Sequence, residues 1–399
     1  MSPTRRDRSV LASVVFAVLL AQVLLYPGVP DLVAAVGATT ALDASMWFLV
    51  AEFAAFVVCA GLWGAASDTA GRRVPFIVAG ALGGAVGYFA LAVLPAALSL
   101  SFAEVLVVRA LQGATTIGAF SLAMTMLMDL GGGHGRNMGA AGIAIGLGTA
   151  IGAPLGGQLY GFGPFVPLYA AGVLLVCAGG LALFIPDRAP GERRSGRLSR
   201  ALATLSERPS LGLPYVFGFI DRLTAGFFAL VGTVYFREAF GLDAAATGVM
   251  LGLFFAPFAL LQYPFGVLSD RVGRAVPIAV GSALYGLAVV GVGLSPTVEI
   301  AGVAMVAVGV IGALMAPATM ALVSDLADDS ARGTAMAGFN VFGSLGFLVG
   351  MLVGGTVADE FGFLAAFVVA GALETGLALV SLPLFFRFDF EDRRAVFGR

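Results

Sequence analysis

The sequence predicts an all-α integral membrane protein with twelve transmembrane helices in two pseudo-symmetric bundles of six. Three observations support this fold class. Hydrophobic residues make up 59% of the chain and charged residues only 12%, about half the ~25% found in soluble domains. The apolar residues form twelve long windows, and motifs of the first half recur in the second. Because no soluble fold can bury so large an apolar fraction, lipid must surround most of the chain.

Each apolar window is long enough to cross the ~30 Å hydrocarbon core as a helix. The first window follows the basic segment MSPTRRDR, as in a signal peptide. No small-residue cleavage site follows it, so we expect a retained helix. The predicted spans 1 to 12 cover residues 9–28, 44–66, 75–95, 102–128, 138–160, 165–185, 213–236, 245–268, 276–294, 299–324, 335–356 and 363–386.

Arginine placement predicts the orientation in the membrane. All 22 basic residues are arginine, and 19 of them fall in the termini and loops on one side. The opposite loops carry acids instead, among them Asp31, Asp43 and Glu238. Because positive residues favour the cytoplasmic side, we expect a multi-pass protein of the cell membrane with both termini in the cytoplasm.

The longest polar stretch, residues 186–212, separates six spans from six. It predicts an N-terminal bundle over residues 1–185, a cytoplasmic linker, and a C-terminal bundle over residues 213–399. Within the linker, three leucines recur at helical spacing beside arginines, namely Leu198, Leu202 and Leu205. Both a short amphipathic helix on the inner leaflet and a solvated charged linker fit this pattern.

Several motifs occur twice in the same order. Residues 64–76 read GAASDTAGRRVPF, and residues 266–278 read GVLSDRVGRAVPI. Residues 129–142, DLGGGHGRNMGAAG, match residues 325–338, DLADDSARGTAMAG. The repetition predicts two homologous halves, an arrangement found in secondary transporters. A stripe of glycines at four-residue spacing follows in each half, formed by Gly148, Gly152 and Gly156 and by Gly346, Gly350 and Gly354.

These motifs resemble the signatures of the major facilitator superfamily (MFS), and the resemblance covers the whole chain. It implies the MFS fold and transport by alternating access. The residues that carry it are Gly64, Asp68, Gly71, Arg72 and Arg73 after span 2, Gly266, Asp270, Arg271, Gly273 and Arg274 after span 8, and Arg109, Gln112 and Gly113 in span 4.

In this family the repeated acid implies a cytoplasmic latch. Asp68 would contact the start of span 11 near Gly333–Met336, and Asp270 would contact the start of span 5 near Arg136–Met138. The first copy has Thr69 where the family has arginine, so we expect its latch to be weaker. Ordinary turn and topology charges are the alternative interpretation. The charges assigned to gating also include Asp129, Arg136, Asp325 and Arg332.

The physical chemistry of the first copy supports a tight turn. Gly64 and Gly71 would permit close backbone approach and unusual dihedral angles. We expect Asp68 to lie near a helix N-terminus, where exposed N–H groups stabilise an acid. The sequence GAPLGG at residues 152–157 resembles a span-5 signature of drug:proton antiporters, with its proline one residue late. Tight helix packing explains the glycine stripes equally well.

Ionisable side chains inside predicted spans are few, and a charge there is costly unless it is paired or hydrated. Glu52 and Arg109 lie at matching depth, ~11 Å from the same membrane face at 1.5 Å per residue, and could pair. Asp221 and Arg222 are adjacent in span 7, so they point ~100° apart. Glu374 lies near the middle of span 12 and is a further candidate for proton coupling, ranked below the others because span 12 usually lies at the periphery in the superfamily. In the superfamily, spans 1, 4, 7 and 10 line the cavity, which favours the set Gln22, Arg109, Gln112, Asp221 and Arg222.

Our leading hypothesis is that Glu52 or Asp221 is a proton-coupling acid, with Arg109 competing against the proton. Burial in a low dielectric favours the protonated form of a carboxylate. The alternative is a static buried ion pair that holds helices together.

The predicted function is proton-coupled efflux of hydrophobic or amphiphilic small molecules. Span 10 is almost without polar groups, and spans 7 and 8 are rich in Phe and Tyr, which would suit such solutes. A carrier of a small metabolite or organic anion, with Arg109 and Arg222 as ligands, stays open, and a non-transporting membrane sensor is a remoter alternative.

The sequence favours no enzymatic activity, since it contains no Ser/His/Asp grouping and no phosphate loop. Its single histidine, His134, has no second ligand nearby, so we expect no metal site, no catalytic residues and no cofactor. The expected partners are a small-molecule substrate, protons and the lipid bilayer. We expect no nucleic acid and a functional monomer.

Overall fold

The computed structural model describes residues 3–131, 134–187, 205–328 and 332–397, and the regular elements in these residues are helical. Most of the predicted linker, with Leu198 and Leu202, lies outside the described residues. We number the helices in chain order as α1 (Pro3–Val23), α2 (Val29–Ala35), α3 (Leu42–Ala70), α4 (Val74–Leu98), α5 (Phe102–Asp129), α6 (His134–Tyr160), α7 (Val166–Ala182), α8 (Gly212–Phe227), α9 (Thr233–Ala239), α10 (Ala244–Val272), α11 (Ala275–Gly293), α12 (Val298–Leu326), α13 (Arg332–Phe361) and α14 (Phe363–Phe397).

Within the described residues, eleven helical stretches are long and apolar enough to cross a membrane. The apolar helix α7 is shorter, with 17 residues. Each of the twelve predicted spans overlaps one of these twelve segments, so the predicted all-α membrane fold is confirmed.

Two spans are interrupted helices. A 3₁₀ turn at Tyr26–Gly28 joins α1 to α2, and a π-helical turn at Phe228–Gly232 joins α8 to α9. A π-turn inserts an extra residue into the hydrogen-bonding ladder and re-aims the side chains beyond it. Hydropathy does not reveal the second interruption, because the segment Phe228–Gly232, FALVG, is as apolar as the helices around it.

The helices group into two units by contact. The first unit combines the N-terminal half with Phe228–Ala256, and the second combines α8 with the residues from Pro257 onward. The two units are defined by contacts between residues, whereas the boundaries predicted for the two bundles are defined by the duplicated motifs and the polar stretch between them. The division of the chain at residues 186–212 therefore stays a prediction.

In the first unit, α5 packs against both α3 and α4, and α1 packs against α6. In the second unit, α8 packs on α13, and α11 packs against both α12 and α14. Lipid is as apolar as the side chains at these contacts, so close van der Waals packing through small residues holds such helices together. These two groups of helices position the polar side chains described next.

Candidate functional site

A buried ion pair lies in the first unit, between α3 and α5. Arg109 Nη2 donates to Glu52 Oε2, and Arg109 Nη1 donates to Gln112 Oε1 at 2.6 Å. Gln112 Nε2 in turn donates to Thr116 Oγ1 at 2.8 Å. All four side chains are at most 1% exposed. The structure thus brings together Glu52, Arg109 and Gln112, three of the residues selected from the sequence.

The local sequence explains why the pair forms. Arg109, Gln112 and Thr116 are spaced at helical intervals, so they share one face of α5. Next to them, Gly113 has no side chain, and a Cβ at this position would overlap the backbone carbonyl of Glu52. The glycine therefore lets α5 approach the backbone of α3 closely enough for the arginine to reach the acid.

Aromatic rings and polar side chains surround the ion pair. The Arg109 guanidinium carbon lies 4.5 Å from the ring centre of Phe48 and 5.6 Å from that of Tyr88, within range of cation–π attraction. Gln22 and Tyr88 lie beside Glu52 and turn polar atoms toward it. By strict distance and angle, Gln22 Nε2, Tyr88 Oη, Glu52 Oε1 and Arg109 Nε form no hydrogen bond within the described residues. Weakly bonded polar atoms therefore surround the ion pair.

The repeated loop motif forms an ion pair in each unit. In the first, Arg73 Nη1 donates to Asp129 Oδ2 at 2.7 Å, and Arg73 is 2% exposed. In the second, Arg274 Nε donates to Asp325 Oδ2 at 3.0 Å. Partial burial lowers the pKa of Arg274, but hydrogen bonds to Asp270 and Asp325 outweigh burial and raise that pKa above its ordinary value.

The structure corrects two details of the first motif. Helix α3 continues to Ala70, so Asp68 lies in its last turn and not at a helix N-terminus. Gly64 lies inside this helix, where a Cβ would meet no described atom within 4 Å, so the predicted close approach at Gly64 is wrong. The turn itself depends on Gly71, whose φ of +64° is a left-handed conformation that glycine adopts without strain.

The acid that caps the next helix is Asp187. Its Oδ1 accepts hydrogen bonds from the backbone N–H groups of Arg73 at 2.8 Å and Val74 at 3.3 Å. This arrangement satisfies two of the unpaired N–H groups at the start of α4. Asp187 is distant in sequence from the motif, and its position just after span 6 carried no signal for this role.

In the second unit, Glu374 of α14 is fully buried and Asp221 of α8 is 9% exposed. Their charges interact electrostatically. Arg222 faces elsewhere, since a Cβ at Gly343 of α13 would lie 3.1 Å from Arg222 Cγ. The adjacent acid and base of α8 thus point to different neighbours, as the ~100° step of a helix requires.

The comparisons with known proteins agree with this architecture. A family model described as Major Facilitator Superfamily matches residues 11–236 and 215–396. The chain belongs to the major facilitator superfamily.

Relatives of this MFS transporter include the inner membrane transport protein YajR of Escherichia coli, which is 34% identical over 48% of this chain and 38% of its own length. The synaptic vesicular amine transporter of Bos taurus is 27% identical over 70% of this chain and 55% of its own length. The multidrug resistance protein MdtG of Enterobacter lignolyticus is 25% identical over 89% of this chain and 88% of its own length. The chain spans 38% to 55% of the length of the first three curated relatives.

Solved structures of other proteins show the same fold. A bacterial homologue of the human lysosomal transporter Spinster superimposes with a TM-score of 0.75 at 12% identity, covering 97% of both chains. The human organic anion transporter MFSD10 superimposes with a TM-score of 0.70 at 22% identity, covering 95% of this chain and 99% of its own. The chain therefore has the MFS fold and is a multi-pass membrane protein.

The glycine stripes of the MFS transporter lie at close helix contacts. A Cβ at Gly156 of α6 would overlap the Leu24 carbonyl, and Gly148 and Gly152 lie against side chains and backbone of α1. A Cβ at Gly350 of α13 would overlap the Leu223 carbonyl of α8. Gly346 makes the same kind of contact with α8, and Gly354 is buried.

Several gating residues chosen from the sequence are exposed in this MFS transporter, namely Arg72, Arg136, Arg271 and Arg332. Arg332 Nε donates to the Ser324 carbonyl at 3.3 Å. Gly266 lies near Pro317, and Gly273 has a φ of +88°. The latch between Asp68 and span 11, and its counterpart at Asp270, stay predictions.

An ion pair between Arg237 and Asp31 was missed. Arg237 Nη2 of α9 donates to Asp31 Oδ1 of α2. The sequence placed both residues in loops on the same side, but nothing in their local context indicated that they meet.

Proposed function

We propose that this MFS transporter is a proton-coupled exporter of hydrophobic or amphiphilic small molecules that works by alternating access. The observation that carries this proposal is the fully buried Glu52–Arg109 ion pair with its bond to Gln112. A proton on Glu52 would remove the charge that holds Arg109, so the state of this acid would alter the contact between α3 and α5.

The substrate class is supported by composition and by relatives. Phe227, Phe228 and Phe254 are at most 2% exposed, and Met305 and Met315 are fully buried, so these side chains face protein and not lipid. Aromatic and thioether groups adapt to apolar ligands of varied shape. Two relatives have matching names, the multidrug resistance protein MdtG and the multidrug efflux pump LfrA of Mycolicibacterium smegmatis.

We further propose that both termini face the cytoplasm of a cell membrane, because 19 of 22 arginines would then lie on the cytoplasmic side or in the termini there. Cysteine labelling from either side of intact cells tests this orientation.

Purified protein in proteoliposomes tests the coupling. Ethidium and a panel of hydrophobic drugs serve as substrates, and a pH-sensitive dye inside the vesicles reports proton flux. We expect the wild type to move ethidium when a pH gradient is imposed, and Glu52→Gln to reduce this movement by about tenfold or more. Glu360→Gln, at an exposed acid at the end of α13, is the control and should behave as wild type. Full pH-driven transport by both Glu52→Gln and Asp221→Asn would overturn the proposal.

One observation favours a second candidate, a carrier of small organic anions. The buried Arg109 Nε has no hydrogen-bond partner among the described residues, and a carboxylate ligand could accept from it. Counterflow of labelled benzoate that is lost in Arg109→Gln, without any ethidium transport by the wild type, would favour this candidate over the exporter.

A further inference from the structure

Glu374 lies where three helices of the second unit meet. Ser282 Oγ of α11 donates to Glu374 Oε2 at 2.8 Å, and Thr224 Oγ1 of α8 lies 3.4 Å from Glu374 Oε1. Glu374 is fully buried. No basic side chain pairs with it in the described part of the chain. A buried carboxyl whose partners are hydroxyls has no counter-ion, so an ionised form would be strongly disfavoured there.

Close packing of two helices holds Glu374 in this place. A Cβ at Gly286 of α11 would overlap the Gly371 carbonyl of α14, and a Cβ at Gly371 would overlap the Gly286 carbonyl. Thr375 Oγ1, next to Glu374, donates to the Ala283 carbonyl at 3.2 Å. The two backbones therefore touch on the side of α14 that carries the acid, and the carboxyl cannot turn outward without separating them.

A second carboxyl lies nearby on α8. Asp221 precedes Thr224 by three residues, so the two share a face of that helix. Asp221 is nine-tenths buried and forms no hydrogen bond or ion pair among the described residues. Its charge interacts with Glu374, Tyr285 and the adjacent Arg222. The titratable groups that face Glu374 are therefore Asp221 from α8 and Tyr285 from α11.

We propose that Glu374 binds a proton inside the second unit and that Asp221 is the group that exchanges this proton with it. Glu374 has no counter-ion among the described residues, and the second carboxylate beside it makes a charge on Glu374 still less favourable. One proton shared by the pair relieves this cost. In the exchange step the two carboxyl oxygens come within hydrogen-bond distance, the O–H bond of Glu374 breaks and an O–H bond forms on Asp221, so the pair keeps one negative charge throughout. Asp221 is the more exposed of the two.

A proton fits this site better than a metal cation. Sodium or calcium would have to sit between the carboxylate and hydroxyl oxygens, and cation–oxygen distances of about 2.3–2.6 Å would spread these oxygens apart. The 2.8 Å contact between Ser282 Oγ and Glu374 Oε2 is a direct hydrogen bond and leaves no such space. This inference rests on the proposed proton coupling and gives it a second acid, separate from Glu52 in the first unit.

Infrared spectroscopy of the purified wild-type protein tests the proposal directly, because a protonated carboxyl has a carbonyl stretching band that a carboxylate lacks. We expect such a band at neutral pH in wild type and its loss in Glu374→Gln. Glu360→Gln, at an exposed acid, should keep the band. Asp221→Asn should also keep it, because Glu374 remains in place. A spectrum that is unchanged in Glu374→Gln would overturn the proposal.

A second variant tests the site even if Glu374→Gln fails to fold. Ser282→Ala keeps the acid but removes its hydroxyl donor, so the band should remain and shift in frequency. A band that does not shift would contradict the assigned geometry. Sodium chloride that abolishes the band in wild type, with potassium chloride as control, would overturn the proton assignment in favour of a sodium site.

The spectroscopic result is independent of transport. If wild type moves no solute in response to a pH gradient but loses the band in Glu374→Gln, the proposed function fails and the proton site stands. If pH-driven transport is present and Glu374→Gln changes neither the band nor the transport, the proton site fails alone.

Discussion

The guanidinium of arginine is a charged group in proteins, so the complete burial of Arg109 requires an anion from the fold. Glu52 is that anion, and Gln112 accepts a second hydrogen bond from the same guanidinium. The rings of Phe48 and Tyr88 add favourable contacts to the remaining face. Because these five side chains pack together, the loss of either partner of the ion pair would leave the other buried without its counter-charge.

Glu52→Gln removes the counter-ion and leaves Arg109 buried and charged. We expect the free energy of unfolding to fall by about 3–5 kcal/mol, measured by thermal unfolding of the purified protein in detergent. In the double variant Glu52→Gln/Arg109→Met no buried charge remains, so its loss should be smaller than that of Glu52→Gln alone. The exposed-site control Glu238→Gln should match wild type. A double variant whose loss equals the sum of the two single losses would show that the residues are not coupled.

At the level of helices, glycines determine which elements can touch. Gly350 of α13 lies against the Leu223 carbonyl of α8, and Gly156 of α6 lies against the carbonyl of Leu24, the residue that follows α1. In lipid the hydrophobic effect does not drive helices together, so these close contacts carry much of the association. Each stripe therefore serves packing in the structure.

Gly350→Ala places a methyl group where the Leu223 carbonyl lies, so α8 and α13 must separate. We expect it to destabilise the protein by about 1–3 kcal/mol, seen as a lower midpoint of thermal unfolding. Gly291→Ala in α11 is the matched control, because a Cβ there meets no described atom within 4 Å. The control should be neutral or slightly stabilising, since alanine favours helix over glycine. Equal behaviour of the two variants would rule out the contact at Gly350 as a source of stability.

Across the whole molecule, the two halves use the same kind of ion pair in different surroundings. The acids Asp129 and Asp325 occupy equivalent positions of the repeat, but their partners do not, because Arg274 aligns with Arg72 and Arg73 aligns with Ala275. The Arg73 side chain is 2% exposed, whereas that of Arg274 is 23% exposed and also bonds Asp270. Each half thus has an Arg–Asp ion pair at this motif, but the arginine of the first half is more deeply buried than that of the second.

This difference predicts unequal effects for equivalent substitutions. Asp129→Asn weakens the partner of a buried guanidinium, and because the Asp129 side chain is itself 35% exposed, the free energy of unfolding should fall by about 1–2 kcal/mol. Asp325→Asn acts on a partly exposed pair, where about 1 kcal/mol or less is expected. Thermal unfolding of both variants, each compared with wild type, measures the difference. Equal losses would show that burial does not distinguish the two halves.

The sequence predicted much of the fold because its signals are local. Twelve apolar windows match twelve helical segments, and their ends differ by up to 11 residues, as at Phe397 of α14 against the predicted 386. Glu52, Arg109 and Gln112 could be selected because a charged or polar group inside a span needs a partner, and equal depth indicated which groups could meet.

The sequence by itself determined three features. The fold class and the rarity of charged residues inside spans follow from composition, and the duplication follows from the spacing of the repeated motifs. The tertiary structure alone decided which side chains meet across helices, since these contacts depend on helix rotation and on backbone approach at glycines. Asp187 at the start of α4, the Asp31–Arg237 pair and the hydroxyls around Glu374 are contacts of this kind. Their partners lie 92 to 206 residues apart, a separation at which no periodic pattern carries information.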